Sequence, residues 1–108
     1  MFCSFFCSRR FSVEFEKDIE QYLKRRVERD HGGLCIKVSP EHTKGIPDRL
    51  VVLPPDGRTI WVELKRAKDG RLSDLQKYQH NKLKKVGAEV VVVWSREDVD
   101  KLIEAERC

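Results

Sequence analysis

One run of residues restricts the fold more than any other: Val90-Val91-Val92-Val93-Trp94. Consecutive apolar side chains leave neither side of a strand for water, so this strand is expected to be buried on both faces. Such a strand lies in a sheet flanked by helices, and the rest of the chain supplies the flanks. Upstream, Phe15, Ile19, Tyr22, Leu23 and Val27 recur at helical spacing, which predicts a helix over 12–29 with Ser12 as its N-cap. Gly32-Gly33 stops it. Downstream, Ser73 opens a second helix whose buried face is marked by Leu75, Leu83 and Val86, and Gly87 ends it. Ser95 caps a last helix that turns Val99, Leu102 and Ile103 inward.

Between the first two helices the pattern changes to strands. Residues 34–38, 49–53 and 59–65 read as three strands, with a polar loop over 39–47. Pro54-Pro55-Asp56-Gly57 has turn composition, so the second and third strands form a hairpin. The expected order is αβββαβ with a C-terminal helix: an α/β domain with a mixed central sheet flanked by helices. The βαβ unit is a right-handed crossover if its strands are parallel. A chain of 108 residues holds one domain; we assign it to 12–108, with 1–11 as an N-terminal extension.

Charge bears on the partner. Charged residues make up 37% of the chain and the net charge is +4, which suits a polyanion such as nucleic acid. No apolar run approaches the roughly 20 residues of a membrane span, and the apolar start precedes its basic residues, the reverse of a secretory signal. Cys3, Cys7, Cys35 and Cys108 are read as reduced thiols, because periodic helices and strands need no disulfide framework. A cytoplasmic location is expected. No glycine-rich phosphate loop is found, so no nucleotide cofactor is expected.

The chemistry lies in the hairpin. A turn centred between Pro55 and Asp56 sets Asp48 directly opposite Glu63, with Cβ atoms about 5 Å apart. Lys65, two residues beyond Glu63, projects from the same side. Opposed carboxylates repel, and a divalent cation resolves the conflict: Mg²⁺ takes carboxylate oxygens and retains waters. Two acids, a metal and a lysine suffice for phosphodiester hydrolysis. Either half alone is usually a turn residue or a surface ion pair; the two in register across one hairpin carry the argument.

Read in order, Ile19-Glu20, Gly32-Gly33, Lys37, Gly45-x-Pro47-Asp48-Arg49, Glu63-Leu64-Lys65 and Leu72-Ser73-x-x-Gln76 resemble the stand-alone VRR-NUC (virus-type replication-repair nuclease) domains of the PD-(D/E)xK nuclease superfamily. The resemblance spans about Ser12 to Ile103. It implies Mg²⁺- or Mn²⁺-dependent cleavage of DNA by a homodimer, selective for branched substrates such as Holliday junctions, in a family typical of bacteriophages. It implies that Asp48 and Glu63 are metal ligands, with the Leu64 backbone carbonyl as a third, and that Lys65 is the catalytic lysine. Glu20 matches the acid of the first helix, with Glu16 one turn earlier as its rival. Gln76 matches a polar residue that reaches the site from the second helix; it is equally the third residue of a capping box begun by Ser73.

Among the basic residues, Arg66 and Lys68 follow the catalytic strand and are expected to contact phosphate, with Lys37 and Arg49 flanking the pocket as further candidates. His80-Asn81 falls within a helix and is read as a solvated helix face. His42 is read as a polar loop residue, and Trp61, on the Glu63 side of its strand, as core or dimer packing. The rival functions are a basic DNA-binding module without catalysis, and a nuclease or nickase without junction preference.

Overall fold

A computed structural model describes residues 16–39, 41, 43–65 and 70–105. Helix α1 (Glu16–Lys24) buries Ile19 and Leu23 one turn apart. The helix does not stay α-helical to residue 29: Arg25–Asp30 is a π-helical segment that carries the buried Val27. Apolar periodicity over six residues cannot tell a turn of 3.6 from a wider one, so the sequence gives no sign of it. Gly33 N–H donates to the Val27 carbonyl at 2.8 Å and ends the helix. Only glycine fits there, because a Cβ on Gly33 would stand 2.4 Å from the Val52 carbonyl oxygen. Ser12 and Phe15, expected in the same helix, lie outside the described residues, as does the expected extension over 1–11.

The strands are β1 (Leu34–Lys37), β2 (Arg49–Leu53), β3 (Arg58–Leu64) and β4 (Glu89–Val93), in one sheet of order β1-β2-β3-β4. The β1–β2 and β2–β3 pairs are antiparallel, and β3–β4 is parallel across helix α2 (Asp74–Lys85). The mixed sheet is as expected. The β2–β3 register pairs Arg49 with Val62 and Leu50 with Trp61, and one more step sets Asp48 opposite Glu63.

The core lies on one side of this sheet. Ile19, Leu23 and Val27 pack against Val51, Leu53, Ile60, Val62, Leu64 and Val93, together with Val99, Leu102 and Ile103 of helix α3 (Arg96–Glu104). Tyr22 Oη donates to Asp100 at 2.8 Å and ties α1 to α3. Ser95 caps α3 by accepting from Asp98 N–H, while the Asp98 carboxylate accepts from Trp94 N–H at 2.8 Å.

Two expectations about burial are corrected. Among the described residues, strand β4 is an edge strand whose Val90, Val91 and Val92 are only half-buried. An edge has no neighbour beyond it, and a single helix covers its other face incompletely. Helix α2 does not bury Leu75 and Val86, which is 82% exposed. It turns Gln76, His80 and Leu83 inward instead, a stripe at i, i+4 and i+7 that is polar at the end nearest the hairpin. Among the described residues, no helix is long and apolar enough to cross a membrane.

Candidate active site

The loop that delivers Asp48 is held close against α2. Gly45 adopts φ +88°, and a Cβ there would stand 2.9 Å from the Leu75 carbonyl oxygen, so the loop needs glycine for its conformation and its clearance alike. Pro47 is fully buried beneath it. Asp48 Oδ2 then accepts from Leu64 N–H at 3.1 Å, which docks its carboxylate on β3 beside Glu63. On the other side, Asp48's backbone carbonyl accepts from Val38 N–H at 2.8 Å. The residue just past β1 and the last residue of β3 therefore hold Asp48 from two sides.

Glu63 is 1% exposed, an unusual position for a carboxylate. Burial first, and the Asp48 charge second, push its carboxyl up to about 8 from 4.5, against the opposing pull of Lys65. The Lys65 ammonium stands 3.6 Å from Glu63 Oε2. Gln76 Nε2 donates to the same oxygen at 3.0 Å. The other carboxylate oxygen, Oε1, faces His80 Nε2 at 3.5 Å.

Gln76 fills both of the roles open to it. Its Oε1 accepts from Ser73 N–H at 2.9 Å while its backbone N–H donates to Ser73 Oγ at 3.1 Å, completing the capping box. Its amide nitrogen is left free to reach Glu63. The two partners also fix which end of the amide is oxygen, because a backbone N–H needs an acceptor and a carboxylate needs a donor.

His80 is the residue that the sequence reading missed. Expected on a solvated face, it is 4% exposed and lies against Glu63. Burial and the neighbouring Lys84 hold its imidazole below the ordinary histidine range. A signal was present, since His80 lies four residues after Gln76 and a helix that presents one to the sheet presents the other.

The remaining candidates divide. Glu20 does not touch the Asp48–Glu63 pair; its carboxylate is ion-paired with the Arg49 guanidinium. Arg49, expected to contact phosphate, is 7% exposed and also donates to the Asp48 carbonyl at 3.1 Å. A buried, paired guanidinium is not offered to a phosphate, so the structure makes Arg49 a tie between α1 and the Asp48 loop. The alternation of β2 foretold this: Arg49 shares its face with Val51 and Leu53, toward α1. Lys37 is exposed at the end of β1, beside Arg49 in the register. Arg66, Lys68 and His42 lie outside the described residues.

The donor set can be tested against a divalent ion. Among the described residues, no cluster of three or more His, Cys, Asp or Glu could hold a metal. Asp48 and Glu63 form a pair of hard oxygen donors, with the Leu64 carbonyl next in the chain. One or two carboxylates completed by water suit Mg²⁺, which dehydrates reluctantly. The Asp48 charge beside Glu63, second to burial in raising its carboxyl, is one that a cation would offset. The residues therefore fit such an ion.

No family model matches the chain. A protein of Acyrthosiphon pisum secondary endosymbiont phage 1 named "Putative nuclease p44" is 37% identical over 82 residues, covering 76% of this chain and 85% of that protein. A solved structure named "VRR_NUC domain" superposes with a TM-score of 0.74 at 42% identity, covering 82% of this chain and 94% of that one.

Proposed function

The chain belongs to the VRR-NUC family of nucleases, and from that premise we propose that it is a divalent-metal-dependent DNA endonuclease whose hydrolytic centre is Asp48, Glu63 and Lys65. The observation that carries this reading is the buried Glu63 carboxyl, pushed up to about 8 with Asp48 beside it and Lys65 at 3.6 Å. A fold has no structural need for a buried acid crowded by a second, half-buried one, and a phosphodiesterase does.

Asp48 and Glu63 would hold Mg²⁺ or Mn²⁺, with the Leu64 carbonyl as a third donor. When bound, the ion supplies Lewis-acid charge at the scissile phosphate and eases deprotonation of the attacking water. The chain's own residues supply position. Asp48 is oriented by the Leu64 N–H and Glu63 by the Gln76 amide. Lys65, 3.6 Å from Glu63, would hold the attacking water or offset charge that develops on the phosphate. Glu20 acts on this centre through Arg49 and the Asp48 loop. Lys37, Arg66 and Lys68 contact backbone phosphates, which gives salt-dependent binding without sequence preference.

Branched DNA is the substrate we infer, cut by a homodimer that sets two centres on opposed strands. Support for pairing comes from the sheet face that the core does not cover. Leu34 and Ile36 are exposed there, with Leu50, Val52 and Trp61 half-buried beside them. A second copy would remove this apolar patch from water.

The test is incubation with labelled four-way junction, linear duplex and single strand, in Mg²⁺, in Mn²⁺ and in EDTA, beside Asp48→Asn. Metal-dependent cutting of the junction alone, lost in the variant, is expected. Cutting of every substrate would keep the chemistry and discard the junction preference. Binding without cutting in either metal would overturn the enzyme reading in favour of a DNA-binding module.

A further inference from the structure

Helix α2 presents two polar side chains to one carboxylate. Gln76 meets Glu63 Oε2 at 3.0 Å, and one turn later His80 meets Glu63 Oε1 at 3.5 Å. The second contact is unfinished. His80 Nε2 and Glu63 Oε1 are both buried, and neither has a hydrogen-bond partner among the described residues. Two such atoms are costly to leave facing one another unpaired, and closing the gap by about half an ångström makes an ordinary N–H···O bond.

We propose that His80 is a positioning residue of the hydrolytic centre, donating its Nε2–H to Glu63 Oε1 so that α2 grips the carboxylate by both oxygens. The inference rests on the metal-centre reading of Asp48 and Glu63. Gln76 alone leaves the carboxylate free to turn about its last torsion. A second donor on the other oxygen fixes its plane, and with it the direction of the lone pairs offered to a cation. Groups that orient a metal ligand in this way typically change metal affinity by about 10- to 100-fold when removed. Capping requires neither His80 nor its contact, because Ser73 and Gln76 complete the box without it. A histidine that only filled space would be replaceable by an apolar side chain of similar volume.

The experiment compares wild type, His80→Met, His80→Gln and Asp48→Asn as intact chains. Mn²⁺ affinity is measured by calorimetry and folding by thermal melting. His80→Met is expected to fold and to bind Mn²⁺ at least about 10-fold more weakly; His80→Gln, which keeps an N–H donor, should recover most of that loss. Wild-type affinity in a folded His80→Met would overturn the role of His80 while leaving the centre intact. Equal Mn²⁺ binding by wild type and Asp48→Asn would overturn the centre itself, and this inference with it. A second measurement needs no variant. In wild type saturated with Mg²⁺, long-range ¹H–¹⁵N spectra should show His80 protonated at Nε2 and bare at Nδ1. The opposite tautomer would refute the proposal even if His80→Met failed to fold.

Discussion

Replacing Asp48 by Asn separates charge from shape at the candidate centre. Asn keeps an oxygen able to accept the Leu64 N–H that Asp48 Oδ2 holds at 3.1 Å, so the loop should stay docked. One negative charge beside Glu63 is removed. Carboxylates opposed across a hairpin at about 5 Å repel by about 3 kcal/mol at an effective dielectric constant near 20, or roughly 2 pH units. Burial is the larger cause of the raised Glu63 value and Asp48 the second. In Asp48→Asn the Glu63 carboxyl should therefore fall from about 8 by up to about 2 units and stay above 4.5. A folded value above the unfolded one means that the proton stabilises the metal-free fold. That stabilisation is complete below about 4.5 and is lost as pH rises through about 8. The metal-free wild type should thus melt at lower temperature with each step upward in that window, and the variant should lose less. Carboxyl ¹³C titration of the metal-free proteins, with melting curves alongside, measures both effects. If Glu63 titrates unchanged in Asp48→Asn, or if the wild-type Tm is flat across the window, the account of crowded charge is refuted.

Four further outcomes follow from the same structure. Gln76→Glu keeps an acceptor for the Ser73 N–H but cannot donate to Glu63, so α2 should persist while cleavage falls by at least about tenfold, as read by helical circular dichroism beside a cleavage assay. Lys65→Ala should abolish cleavage and leave the fold intact; a cleavage rate equal to wild type would remove Lys65 from the centre. Gly33→Ala should cost about 1–3 kcal/mol in denaturant unfolding, since its Cβ would press on the Val52 carbonyl. Light scattering at micromolar concentration should give a dimer for wild type and a monomer for Ile36→Glu, and a wild-type monomer would count against pairing.

Much of the hairpin was legible because its determinants are local. A turn of fixed length fixes register, and register alone set Asp48 opposite Glu63 and Lys65 two residues on. The capping box was legible for the same reason, since Ser73 and Gln76 lie within one turn. Periodicity also identified the core face of α3, where Val99, Leu102 and Ile103 are all buried as expected. The alternation of β2 set Arg49 on the apolar face of Val51 and Leu53, which is a poor place from which to reach phosphate, but the charge of the residue outweighed that pattern.

What the sequence by itself determined is the set of elements, their order and the pairing of two acids across one turn, because each depends on residues a few positions apart. What only the tertiary structure decided is which sides of those elements meet. Among the described residues strand β4 lies at an edge, where no further strand pairs with it, and four valines read alike at an edge or a centre. Helix α2 turns Gln76 and His80 to the sheet in place of Leu75 and Val86, and the stripe that packs there faces a buried carboxylate to which Gln76 donates. Glu20 is held by Arg49, from a strand far along the chain. Burial and partnership are properties of contacts between distant segments, and no local pattern encodes which distant segment arrives.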